Sequence, residues 1–119
     1  MYVTDITDYD GAGFEYDVNV TDGQHQLLCM ATSKINIGCS NFRLISCFIK
    51  NIKKTDTKNM LISKLDGYYE YKIIGRVVDI DQKIVKVFGF NIEIDETFPR
   101  EVRNGDFLEI ICLRIDCQL

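Results

Sequence analysis

Tryptophan is absent from this chain, and proline and histidine occur once each, as Pro99 and His25. With one proline, long segments stay free of the residue that removes a ladder hydrogen bond, so extended strands are open to them. One histidine leaves little material for acid–base catalysis or for a histidine-rich metal site. No CxxC spacing occurs among Cys29, Cys39, Cys47, Cys112 and Cys117, which removes the paired-ligand pattern of structural zinc. Their odd number, and the apolar runs around four of them, read as reduced core cysteines rather than a disulfide framework. No apolar stretch approaches the ~20 residues of a membrane span. Met1-Tyr2-Val3-Thr4-Asp5 is not a basic start ahead of an apolar run, so no export signal is expected. A cytoplasmic chain without membrane association follows as the expectation.

Basic residues are also absent from one whole segment. Residues 1–33 hold Asp5, Asp8, Asp10, Glu15, Asp17 and Asp22 with no Lys or Arg, a balance of −6. Residues 34–64 carry +6, through Lys34, Arg43, Lys50, Lys53, Lys54, Lys58 and Lys64 against Asp56. The remainder carries −4, which is also the net charge of the chain. If folding keeps these segments apart, the surface acquires an acidic face and a basic face, each suited to a charged partner.

What the chain does have is Ile, Val, Phe and Tyr, the types that fit a pleated, half-buried surface. Its 119 residues make one domain, 1–119, able to bury roughly two-thirds of its unfolded surface without metal or disulfides. Phe14–Val20 alternates strictly, with Phe14, Tyr16, Val18 and Val20 inward and Glu15, Asp17 and Asn19 outward. Asp22-Gly23 then predicts a hairpin turn into a partner strand near His25–Ala31. Phe42–Ile52 is apolar on both alternating sets, as a central or barrel strand is. Asn51–Asn59 reads as an exposed charged loop. Met60–Leu65 is a short apolar segment, strand or helical turn.

Tyr69–Ile80 and Ile84–Ile94 form a second predicted hairpin turning near Asp81-Gln82. Gly75 and Gly89 sit within its strands, where a sheet curls. Asn104-Gly105 announces a last strand over Phe107–Cys117. The segment from Pro99 to Phe107 resembles the turn that feeds a final strand in many small β-barrels. The expectation is a mostly-β fold with little helix. It takes the form of a single-domain antiparallel β-barrel or two-layer sandwich of six or seven strands, with an OB-like barrel as one form.

Catalytic constellations are thin. His25 and Cys29 lie four residues apart on one strand face, where a Cys–His pair is conceivable, yet an exposed turn histidine and a buried cysteine fit the pattern better. Asp8-Tyr9-Asp10-Gly11 opens like a calcium loop, but the closing Glu twelve positions on is missing: Asn19 or Thr21 stands there. Asp79, Asp81, Glu93, Asp95 and Glu96 gather at strand ends, where solvated carboxylates are ordinary. No G-x-S-x-G elbow or phosphate-binding glycine loop occurs.

The expectation is therefore a non-enzymatic protein–protein interaction module without cofactor or metal. It would be a small inhibitor or immunity-type protein that masks a basic toxin or nuclease. Its docking residues would be Asp5, Asp8, Asp10, Glu15 and Asp17. The alternative is an OB-like barrel that binds single-stranded nucleic acid through Lys50, Lys53, Lys54, Lys58 and Tyr69.

Overall fold

Period-two patterning runs through most of the chain, and the backbone answers it with strands. The computed structural model describes residues 1–9 and 11–119. Among these residues there are nine strands and no helix. They are β1 (Tyr2–Asp8), β2 (Tyr16–Thr21), β3 (Gln26–Ala31), β4 (Arg43–Thr55), β5 (Leu61–Lys64), β6 (Tyr71–Asp79), β7 (Ile84–Val87), β8 (Phe90–Ile94) and β9 (Phe107–Gln118).

The strand order is β1-β2-β3-β9-β4-β8-β7-β6-β5, and an added β9–β6 pairing closes β9-β4-β8-β7-β6 into a ring. The closed form is thus a five-stranded barrel, the strand number of an OB-fold. Four junctions of the ring are antiparallel, and β4–β8 is parallel. Outside the ring, β5 extends β6, and the β1-β2-β3 meander attaches to β9.

β9 makes this possible by using both edges. One edge pairs with β4 along its whole length, from Phe107↔Thr55 to Gln118↔Arg43. The other meets β6 between Phe107 and Cys112 and β3 at Asp116. Leu108, Ile110, Cys112 and Ile115 are fully buried, facing Ile73, Val85, Val87, Phe90 and Ile92 in one apolar cluster that draws on every strand. The radius of gyration, 13.9 Å, is close to the about 13.5 Å of one compact domain of this length.

Nine strands exceed the six or seven expected, for local reasons. Ile84–Ile94 is two strands, not one, because Phe88-Gly89 turns the chain between Val87 and Phe90. Phe88 holds φ 52°, which a bulky side chain rarely adopts. Residues 2–8 form β1, whose register shifts between Val3 and Asp5, so strict alternation is lost there. Phe14 is 73% exposed in the loop before β2 rather than in its apolar row. β4 runs on to Thr55 through residues that read as loop.

Gly75 does mark a constriction. A Cβ there would lie 2.6 Å from Val85 Cγ1 and 2.7 Å from the Lys86 carbonyl oxygen, so β6 and β7 approach to a distance only glycine allows.

The meander is latched to the barrel at Asp22. Its Oδ1 accepts the N–H groups of Gln24 (2.9 Å) and His25 (2.6 Å). Its Oδ2 accepts the N–H of Gly89 (2.9 Å) and meets His25 Nδ1 at 3.1 Å. The His25 ring stacks on Phe88, 3.7 Å between centroids. Burial pushes the Asp22 carboxyl up, but these donors outweigh it and hold the group well below the usual carboxylate range.

A folded value below the unfolded one means stability that is present above about pH 4 and lost as pH falls through the folded value. Asp22→Asn is expected to cost about 2 kcal/mol at pH 7. That gap to wild type should narrow below about pH 4 in urea titrations. A gap constant with pH would contradict the latch. Gly75→Ala is expected to destabilise by about 2–3 kcal/mol through overpacking against β7, read as a lower urea midpoint with unchanged slope.

Candidate protein-docking face

Residues 1–33 fold into the β1–β2–β3 meander, which keeps their acids together. Val3, Val18 and Val20 point inward and are fully buried. The alternates Asp17 and Asn19 of β2 therefore point outward. The register shift after Val3 puts Asp5 on that face opposite Asn19, and Glu15 is exposed just before β2. At the β1–β2 connection, Asp8 Oδ1 accepts the N–H groups of Gly11 (3.1 Å) and Gly13 (3.3 Å). Both glycines hold positive φ, 70° and 79°, and Tyr9 N–H donates to the Glu15 carbonyl at 2.9 Å.

Asp17 does not face open solvent. Its Oδ2 accepts the hydroxyl of Tyr68 and its Oδ1 that of Tyr69. These tyrosines come from the loop between β5 and β6. The loop is braced by Leu65 N–H to the Glu70 carbonyl (2.9 Å) and by Gly67 N–H to Glu70 Oε1 (3.1 Å). Lys50 Nζ closes the brace on Glu70 Oε2 at 2.9 Å. Tyr69 stands edge-on to Tyr68 at 4.7 Å, and Tyr9 leans over both at 5.4 and 6.3 Å. Tyr9 and Tyr68 are 51% and 53% exposed, so the cluster presents aromatic faces outward.

The electrostatics follow. The hydrogen bond to Asp17 raises the Tyr68 phenol above its ordinary range. Burial first, and Asp17 second, raise Tyr69 further. Asp5, Asp8 and Glu15 are exposed around this cluster and make no ion pair among the described residues. Asp10 lies outside the described residues. The structure thus brings Asp17, expected on the acidic face, onto Tyr69, expected in a nucleic-acid groove.

The basic segment is placed differently. Lys50 pairs with Glu70, Lys53 with Glu109 at 3.2 Å, and Lys54 with Asp106 at 3.4 Å. Glu109 also takes Lys72, and these cations lower the Glu70 and Glu109 carboxyls. Lys58 stays exposed in the loop after β4.

A cleft of about 490 Å³ lies elsewhere, between the β6–β7 turn and the outer faces of β4, β8 and β9. Its arginines are already held: Arg43 on Glu93 at 2.7 and 2.8 Å, Arg114 on Asp116 at 2.5 and 3.0 Å. Arg114 also lies 4.9 Å over the Phe48 ring, and Phe48 holds φ 56°. Burial, then Asp116, pushes the Cys47 thiol there up to about 11, which makes it a poor nucleophile.

Cys29 is fully buried with its thiol driven up by burial, while His25 is engaged by Asp22 and Phe88. No hydrogen bond joins the two side chains among the described residues. Glu93 of the strand-end acids is tied to Arg43, and Asp79 accepts the Gln82 N–H at 3.1 Å. Among the described residues no group of three or more His, Cys, Asp or Glu is placed to hold a metal ion, and no helix is long and apolar enough to cross a membrane.

Comparison with protein-family models, with curated proteins and with solved structures finds no match to this chain.

Asp17→Asn replaces a charged acceptor with a neutral one. It is expected to lower the ionisation range of Tyr68 and Tyr69 in an alkaline ultraviolet titration. Tyr71, raised by burial and with its hydroxyl accepting the Leu28 N–H, is expected to stay put. An unchanged titration would mean that the two phenols do not share Asp17.

Proposed function

We propose that this chain is a non-enzymatic interaction module that docks a basic protein through the outer face of β1–β2 and the tyrosine cluster seated on it. The observation that carries the reading is the composite itself: half-exposed tyrosine rings, fixed by Asp17 and by the braced 65–70 loop, amid exposed acids without cationic partners among the described residues. Tyrosine is enriched at the energetic centre of protein interfaces because it buries much area at little entropic cost. Charge around such a centre steers the encounter and rejects partners of the wrong sign. An inhibitor or immunity-type protein masking a cationic toxin or nuclease is the role that best uses this arrangement. The five free thiols suit a reducing cytoplasm, where the reading places the chain.

The single-strand alternative has less to draw on. Three of its four lysines are paired with neighbouring carboxylates, and Tyr69 donates its hydroxyl to a further acidic group, Asp17. Phosphate binding depends on cations that can neutralise it.

The test is charge reversal at the two outward positions that hold nothing in place. Asp5→Lys with Glu15→Lys is expected to slow association with a basic protein isolated on the wild-type chain about tenfold at low salt. The urea midpoint should hardly move. Unchanged association kinetics would overturn the proposal.

A further inference from the structure

We infer that the exposed rings of Tyr9 and Tyr68 are the seat of an arginine side chain of the partner. The inference rests on the docking reading and names the chemistry of its centre. A cation over an aromatic face is drawn to the ring's negative quadrupole, and the weakly hydrated, planar guanidinium does this better than an ammonium.

The chain shows the arrangement once in its own structure. Arg114 lies between the Phe48 face, at 4.9 Å, and the Asp116 carboxylate, at 2.5 and 3.0 Å. The tyrosine cluster has the corresponding aromatic faces and carboxylates. Tyr9 and Tyr68 pack against each other with centroids 5.4 Å apart and planes tilted by 56°, and each ring is about half exposed. Asp8 precedes Tyr9 in the chain and Glu15 faces it across the Tyr9 N–H to Glu15 carbonyl bond, and both carboxylates are exposed. What differs is the source of the cation. Among the described residues, Arg114 covers Phe48 and Lys64 covers Tyr71, but no Lys or Arg covers Tyr9 or Tyr68. No Lys or Arg occurs within residues 1–33 either. Asp17 acts here as a positioning residue, because its carboxylate accepts the hydroxyls of Tyr68 and Tyr69, and Tyr9 packs on both of those rings.

Six tyrosines and no tryptophan make the chain's own emission the readout. Tetra-arginine, tetra-lysine and tetra-citrulline peptides are titrated into the wild type, Tyr68→Leu, Tyr68→Phe and the Asp5→Lys/Glu15→Lys variant. The wild type is expected to prefer tetra-arginine over tetra-lysine and to ignore tetra-citrulline. Tyr68→Leu should lose about fivefold in tetra-arginine affinity, and Tyr68→Phe, which keeps the ring, should keep most of it. Unchanged urea midpoints show that the variants are folded. If charge reversal weakens binding while Tyr68→Leu does not, the arginine seat is wrong and the acidic docking face stands. If neither variant weakens binding, or the wild type binds no cationic peptide, the arginine seat falls together with the acidic docking face around it.

Discussion

The structure depends on one strand that satisfies two neighbours on the same edge. Along Phe107–Gln118, β4 takes one side throughout, while β6 and then β3 share the other. The first half of β9 closes the barrel, and the second half carries the meander. Closure leaves only β1 and β5 as outer strands of the sheet, and β5 is four residues long. A short edge offers little template for unwanted pairing. The burial of Leu108, Ile110, Cys112 and Ile115 explains why this strand can organise the rest, since its inward side chains fill the barrel.

The meander touches β9 by a single ladder position, Met30↔Asp116, so backbone pairing alone does not seat it. Side chains complete the seating. Tyr71 accepts the Leu28 N–H at 2.7 Å, Asp22 holds the Gly89 N–H, and Asp17 holds the hydroxyls of Tyr68 and Tyr69. All three clamps join a polar group of the meander to the barrel or its loops. The third clamp also builds the proposed docking face. An acid from residue 17 and rings from residues 68 and 69 become one surface only because the meander is in place. The stability of the fold and the geometry of the face are therefore coupled through Asp17.

Much of the framework is legible in the residues alone. Strict alternation marks β2, Asp22-Gly23 marks its turn, and runs apolar on both sides mark β4 and β9. Gly75 signals the close approach of β6 and β7. What escapes does so for physical reasons. Phenylalanine at positive φ is no turn signal, so the Phe88-Gly89 turn reads as mid-strand. Lys53 and Lys54 look like loop residues until Glu109 and Asp106 stand opposite them. The register shift in β1 erases its period. At the proposed docking face, Glu15, Asp17 and Asn19 are readable as an outward row within the acidic stretch that also holds Asp5 and Asp8. The bond between Asp17 and Tyr69 is not, because it spans fifty-two positions and exists only through tertiary docking. Patterning alone places these two residues on different, competing surfaces.

The central claim is that the composite of β1–β2 and the 65–70 loop is where a partner sits. Amide hydrogen exchange of the complex with its basic partner, compared with the chain alone, tests it most directly. The account expects slowed exchange at residues 5–9, 15–17 and 66–69, with the 50–58 segment and the cleft between β4, β8 and β9 unchanged. Protection confined to residues 50–58 or to that cleft would contradict it.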